Sequence, residues 1–142
     1  MPHSIIQPVL ALMFLTFLIW LYMYFLRLSY VIKNKIDAQA LETPEQCNSI
    51  LPTHINKPSN NFKNLFEAPV IFYTLCISAS FLNQVDNVLI VLAWCFVVGR
   101  ILHSIFHCFS NSVTLRFYAY FSSSIIMWIM LLKVIYNVLI VT

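Results

Sequence analysis

The apolar residues of this chain fall into four long, nearly unbroken runs, over residues 5–32, 62–82, 88–109 and 113–132, the last with an apolar extension to the end. Roughly 20 apolar residues cross a bilayer as a helix. Helices are predicted over strands because the runs are long and uninterrupted, and because hydrocarbon offers no partner for an unpaired backbone group. Residues 33–59 form the one long polar loop. The segments NQVD (83–86) and SNS (110–112) read as tight turns, so spans two, three and four are predicted to pack antiparallel as neighbours.

Composition fixes the class. The chain is 61% hydrophobic and 9% charged, where a soluble domain carries about 25% charged residues. That leaves too little polar side chain to cover a water-facing surface. The reading is an all-α, multi-pass integral membrane protein with one domain over residues 1–142. The first run is too long for a cleaved signal peptide and is read as retained. Lys33, Lys35, Lys57 and Lys63 flank the long loop, with Arg27 and Arg116 near the same side, while Asp86 and Lys133 mark the other. The positive-inside rule then puts the loop and the 110–112 turn in the cytoplasm and both termini outside it. The net charge of +3 reads as topology and attraction to anionic lipid, not as nucleic-acid binding. The cysteines Cys47, Cys76, Cys95 and Cys108 show no CxxC spacing, and the three in apolar spans read as small buried hydrophobes.

The candidate chemistry is polar residues placed where lipid is expected. Asn60, Asn64 and Glu67 lie at i, i+4, i+7 near the start of span two, one face of a continuous helix. Arg100, His103 and His107 lie at i, i+3, i+7 near the end of span three. Arg116 and Tyr120 share a face at the start of span four, followed by Ser123 and Ser124, and Arg27 closes span one. All of them fall in the same half of the membrane. Arg100 is predicted to sit roughly 13 Å deep, about nine residues from its helix end at 1.5 Å per residue. A charge at that depth must face protein or water. One reading is structural: a Glu67–Arg100 ion pair locks spans two and three, and Asn64 and His103 are interhelical hydrogen-bond glue. The other is a ligand pocket, since the cations outnumber the one carboxylate and the surplus suits an anion. A His103–His107 metal site competes weakly, because Arg100 shares their face, and no metal is predicted. Gly99 is expected to admit a neighbouring helix beside Arg100, and Pro69 to bend span two and free a carbonyl near Glu67.

The motifs N-x-x-E in span two, G-R-x-x-H in span three and R-x-x-x-Y in span four, taken with the four spans and the long first loop, resemble the family of membrane-associated proteins in eicosanoid and glutathione metabolism, MAPEG. The stretches NNFKNLFEAPVIFY and RILHSIFHC are most similar to bacterial members. The resemblance implies a homotrimer in the bacterial inner membrane that binds glutathione as co-substrate in the cytoplasmic half and acts on a lipophilic small molecule. It implies that Asn64, Glu67, Arg100, His103, His107, Tyr120 and Arg27 hold the thiol, and that Arg116 is catalytic by stabilising the thiolate. Asn60, Lys63 and His107 depart from the eicosanoid-metabolising members, so prostaglandin or leukotriene synthesis is not implied. A non-catalytic scaffold, or a lipid- or anion-binding protein of the same fold, is the alternative.

Overall fold

The computed structural model describes residues 2–141, so both end residues of the expected 1–142 domain lie outside the described residues. Helix α1 spans Pro2–Lys33. A 3-10 turn (Ala38–Leu41) and α2 (Pro44–Ile50) follow, then α3 (Thr53–Asn64), α4 (Ala68–Phe81), α5 (Asn87–Phe109) and α6 (Val113–Tyr136), which continues as a π-helical turn. No strand occurs among the described residues. Four stretches are long and apolar enough to cross a membrane: Ile5–Lys33, Thr53–Phe81, Asn87–Phe109 and Val113–Ile140.

Two expectations change. Span two begins at Thr53 rather than near Phe62, and it is two helices, α3 and α4, rather than one. The loop after span one is largely helical too. Thr43 and Gln46 make a capping box around Pro44: the Gln46 N–H donates to Thr43 Oγ1 at 3.3 Å and the Thr43 N–H to Gln46 Oε1 at 3.0 Å. Two otherwise orphaned donors are thereby satisfied, enough to start α2.

The helices close a ring in which α1 packs on α3, α4 and α5, α5 packs most extensively on α6, and α6 returns to α4. The predicted neighbour relation thus holds for α5 and α6, whereas span two meets α5 mainly through its α3 half. Further along, Phe72 stacks on Phe96 at 4.5 Å between centroids, and two rings side by side hold α4 and α5 apart. Phe72, Phe96, Leu12, Leu89, Met127 and Met130 are among the buried residues at the centre. Phe14, Phe25, Phe81, Phe121 and Leu132 point outward, which suits a lipid solvent as it would not suit water. Helices α5 and α6 approach closely at Gly99, where a Cβ would lie 2.8 Å from Ser123 Cβ.

The turns are tied down by side chains. Lys57 Nζ donates to Asn111 Oδ1 at 2.6 Å and to the Ser110 carbonyl at 3.3 Å, fixing α3 to the 110–112 turn. At the other end Asp86 caps α5 by accepting the Leu89 N–H at 2.8 Å, and it pairs with Lys133 at 2.7 Å. Partial burial opposes the Asp86 charge, but the hydrogen bonds from Lys133 and Leu89 outweigh it and hold the carboxyl below its ordinary value.

Candidate functional site

The site is organised by the break in span two. Pro69 has no N–H, and its ring crowds the carbonyl four residues earlier, that of Leu65. Helix α3 accordingly ends at Asn64, Glu67 takes the non-helical angles φ −95° and ψ −102°, and α4 restarts at Ala68 with Pro69 in its first turn. The Asn64 carbonyl at the end of α3 accepts Arg100 Nη2 at 3.1 Å. A cation suits that place, because helix C-termini carry partial negative charge and unpaired carbonyls.

Arg100 is fully buried. Its guanidinium carbon lies over the Tyr120 ring at 4.8 Å and the Phe96 ring at 5.6 Å. Its Nε and Nη1 have no partner. The Glu67–Arg100 ion pair expected from the sequence does not form. Among the described residues the salt bridge is Lys133–Asp86. Glu67 is exposed, and its Oε2 accepts the Tyr120 hydroxyl at 3.3 Å. Tyr120 therefore stands between the two groups predicted to touch.

The break also takes Glu67 off the face predicted for it with Asn60 and Asn64, since i, i+4, i+7 spacing aligns side chains only along an unbroken helix, while Asn60 and Asn64 both stay on α3. Asn60 is exposed and lines a separate polar cavity of about 230 Å³ together with Arg27, Lys63 and Cys47. The buried amide is its neighbour Asn61, which donates to Cys108 Sγ at 3.7 Å and accepts from Ser104 Oγ at 3.4 Å. Asn61 ties α3 to α5 through its side chain, beside the Arg100 bond to the Asn64 carbonyl. Lys57 and Asn61, four residues apart on one helical face, were the readable signal for it.

Asn64, Glu67, His103, Arg116 and Tyr120 do come together. With Val113 and Phe117 they line a cleft of about 250 Å³ between the α3–α4 break and the start of α6. Val113 and Phe117 repeat at helical spacing with Arg116 and Tyr120, and that spacing is the signal in the sequence that points to them. His103 is held by an Nδ1 contact to the Arg116 carbonyl at 3.1 Å. A carbonyl only accepts, so Nδ1 carries the proton in the neutral ring. His103 Nε2 is buried and without a partner. Arg100 lies beneath the cleft and is not among its lining residues. His107 is buried with its ring 5.5 Å from that of His103 and is not among them either. Arg27 sits apart, in the cavity beside Asn60. Among the described residues no three of His, Cys, Asp and Glu gather as a metal site would require.

A larger apolar groove of about 490 Å³ adjoins the cleft along α4 and α6, lined by Glu67, Ala68, Ile71, Tyr120, Phe121, Ser124, Ile125, Met127 and Trp128. The arrangement places one cation, one carboxylate and one amide beside a surface made for hydrocarbon. Such a site suits a small zwitterionic molecule held next to a lipophilic one.

No curated protein and no solved structure matches the chain. The family model that does match is described as the MAPEG family and covers residues 5–136. With four membrane-spanning stretches and an all-helical bundle behind that match, the chain belongs to the MAPEG family of integral membrane proteins.

Proposed function

We propose that the protein is a glutathione-dependent transferase or peroxidase that activates a bound thiol for attack on a lipid-soluble electrophile. The observation that carries the reading is the adjacency of the polar cleft, holding Asn64, Glu67, His103, Arg116 and Tyr120, to the apolar groove ending at Trp128. Family members generally use glutathione and are generally trimeric. On this reading three copies assemble in a bacterial inner membrane with the 34–52 segment in the cytoplasm and both termini outside it.

The donor set fits the tripeptide. Glu67 is exposed and pairs with no cation among the described residues, as a receptor for an α-ammonium group should be. Asn64 supplies an amide for the peptide backbone. A free thiol has a pKa of about 8.5 and is mostly protonated at neutral pH. Arg116, which forms no ion pair among the described residues, is placed to stabilise the thiolate and lower that value. Arginine does this without losing its own proton. The thiolate then forms a bond to an electrophilic carbon while the bond to the leaving group breaks, and the thiol proton goes to solvent. With a peroxide the thiolate bonds to one oxygen as the O–O bond breaks and the other oxygen leaves as an alcohol, and a second thiol then displaces water from the sulfenic acid to give a disulfide. Arg100 and His103 act as positioning residues, through the Asn64 carbonyl, the Tyr120 ring and the Arg116 carbonyl.

The test is a titration of the detergent-purified protein with glutathione, followed by calorimetry and by thiolate absorbance in the ultraviolet. Saturable binding with a thiolate signal at neutral pH is the expected result. Absence of both at millimolar glutathione would replace the enzyme reading with a non-catalytic scaffold or anion-binding protein.

A further inference from the structure

The cleft and the apolar groove have two lining residues in common, Glu67 and Tyr120. Those two side chains are hydrogen-bonded to each other across the boundary, Tyr120 hydroxyl to Glu67 Oε2 at 3.3 Å. We infer that this pair is a latch between the chambers, released when a ligand ammonium group takes Glu67, so that the site connects thiol to electrophile only for thiols bearing a free α-amino group. The inference rests on the glutathione reading above and adds to it a specificity and an order, thiol before electrophile.

Three features make the pair suited to opening. The bond is long, since O–H···O bonds usually lie between about 2.5 and 3.0 Å, and an ammonium group brings the carboxylate a full opposite charge that the neutral hydroxyl lacks. The Tyr120 ring is fixed, with Arg100 at 4.8 Å on its face and His103 at 5.5 Å edge-on. Glu67, by contrast, is exposed and sits in the non-helical joint between α3 and α4. The carboxylate is therefore the part that moves, and the ring is the post it leaves. The hydroxyl is held in place by its ring, so an ammonium group that draws the carboxylate into the cleft carries Oε2 away from it, and ammonium binding and latch closure compete.

Trp128 lines the groove beyond the latch and reports its state. Trp20 and Trp94, like Trp128, are exposed on the bundle surface but line neither chamber, so Trp20→Phe and Trp94→Phe leave Trp128 as the single emitter in the full-length protein. Glutathione should shift Trp128 emission to the red as the groove gains contact with the polar cleft. The des-amino analogue of glutathione should bind without that shift, and Tyr120→Phe should abolish the response to glutathione. Calorimetry on the same samples separates binding from opening. If glutathione binds and the emission does not move, or the des-amino analogue shifts it equally, the latch is overturned while the glutathione reading stands. A thiol-free arm tests the latch even if glutathione does not bind. Glu67→Ala alone should increase quenching of Trp128 by aqueous iodide, and unchanged quenching in that variant overturns the latch.

Discussion

Replacing Gly99 by alanine tests the close contact between α5 and α6. The new Cβ would lie 2.8 Å from Ser123 Cβ, whereas nonbonded carbons rest about 3.5–4.0 Å apart. The atom it meets is a Cβ fixed to the α6 backbone, not the end of a flexible side chain, so α5 and α6 must separate by roughly 1 Å. Overpacking of this kind costs about 1–3 kcal/mol. Helix propensity works the other way and favours alanine by about 1 kcal/mol, so the single variant should lose only ~0–2 kcal/mol. A double-mutant cycle isolates the contact. Ser123→Gly removes the opposing Cβ, and the Gly99→Ala/Ser123→Gly pair should show a favourable coupling of about 1–3 kcal/mol. The Ser123 hydroxyl bonds the Tyr120 carbonyl at 2.8 Å within its own helix, and its loss is common to both Ser123→Gly arms and cancels. Ser123→Ala keeps the Cβ and should give no rescue. The assay is reversible unfolding in mixed detergent micelles followed by circular dichroism. A coupling below about 0.5 kcal/mol, the usual error of additivity, or equal rescue by Ser123→Ala, refutes the steric account.

Arg116→Leu should raise the pKa of bound thiol, each unit being about 1.4 kcal/mol of lost thiolate stabilisation, and Arg116→Lys should recover part of it; thiolate absorbance against pH is the measurement. Arg100→Met removes a charged hydrogen bond worth about 1.5–3 kcal/mol but also two buried donors without partners, each costing about 1–3 kcal/mol. Its stability in detergent should therefore change little, whereas Arg100→Ala, which adds a cavity, should lose several kcal/mol; equal losses for the two would refute this. The Asp86 carboxyl is held below its ordinary value, so the stability it contributes is present above about pH 4 and fades as pH falls through its folded value. Lys133→Met should flatten that acid-side slope in a melting series, leaving the part due to the Leu89 N–H, with an effect of ~0–1 kcal/mol as for other exposed pairs.

Much of the fold is legible in the runs themselves, because a segment in hydrocarbon must close its own hydrogen bonds and composition alone then selects helix. The close approach at Gly99 is legible for a similar reason, one residue without a Cβ in an otherwise bulky span. The break at residues 65–67 is half legible. Pro69 marks it, but the extent to which α3 and α4 separate depends on what Arg100 and Tyr120 do from other helices. That is why the spacing in the sequence points Glu67 at Arg100; Asn60 and Asn61 both lie within α3, and which of the two is buried is set by α5. Helical spacing was extended through a joint where it no longer applies. The capping box at Thr43 and Gln46 was plain in the residues TPEQ, and it was passed over because a polar stretch between spans invites the word loop. Arg27, by contrast, lies in a different cavity from Arg116, and depth in the membrane alone carries no information about which side of a bundle a residue faces.

The joint at residues 65–67 also bears on biogenesis. Helix α4 has 14 residues, about 21 Å at 1.5 Å per residue, against a hydrocarbon core of about 30 Å. The rest of the crossing falls to α3, which carries Lys57, Asn61, Lys63 and Asn64. As a lone segment leaving the insertion machinery, Thr53–Phe81 should therefore partition into lipid poorly. Asn61 finds Ser104 and Cys108 on α5, and Asn64 finds Arg100 there. Helix α5 thus supplies the partners that make α3 soluble in the membrane, so the two crossings should insert together as a hairpin around residues 82–86. A glycosylation-tagged insertion assay should find the second crossing integrating efficiently only when the chain reaches past Phe109, the end of α5.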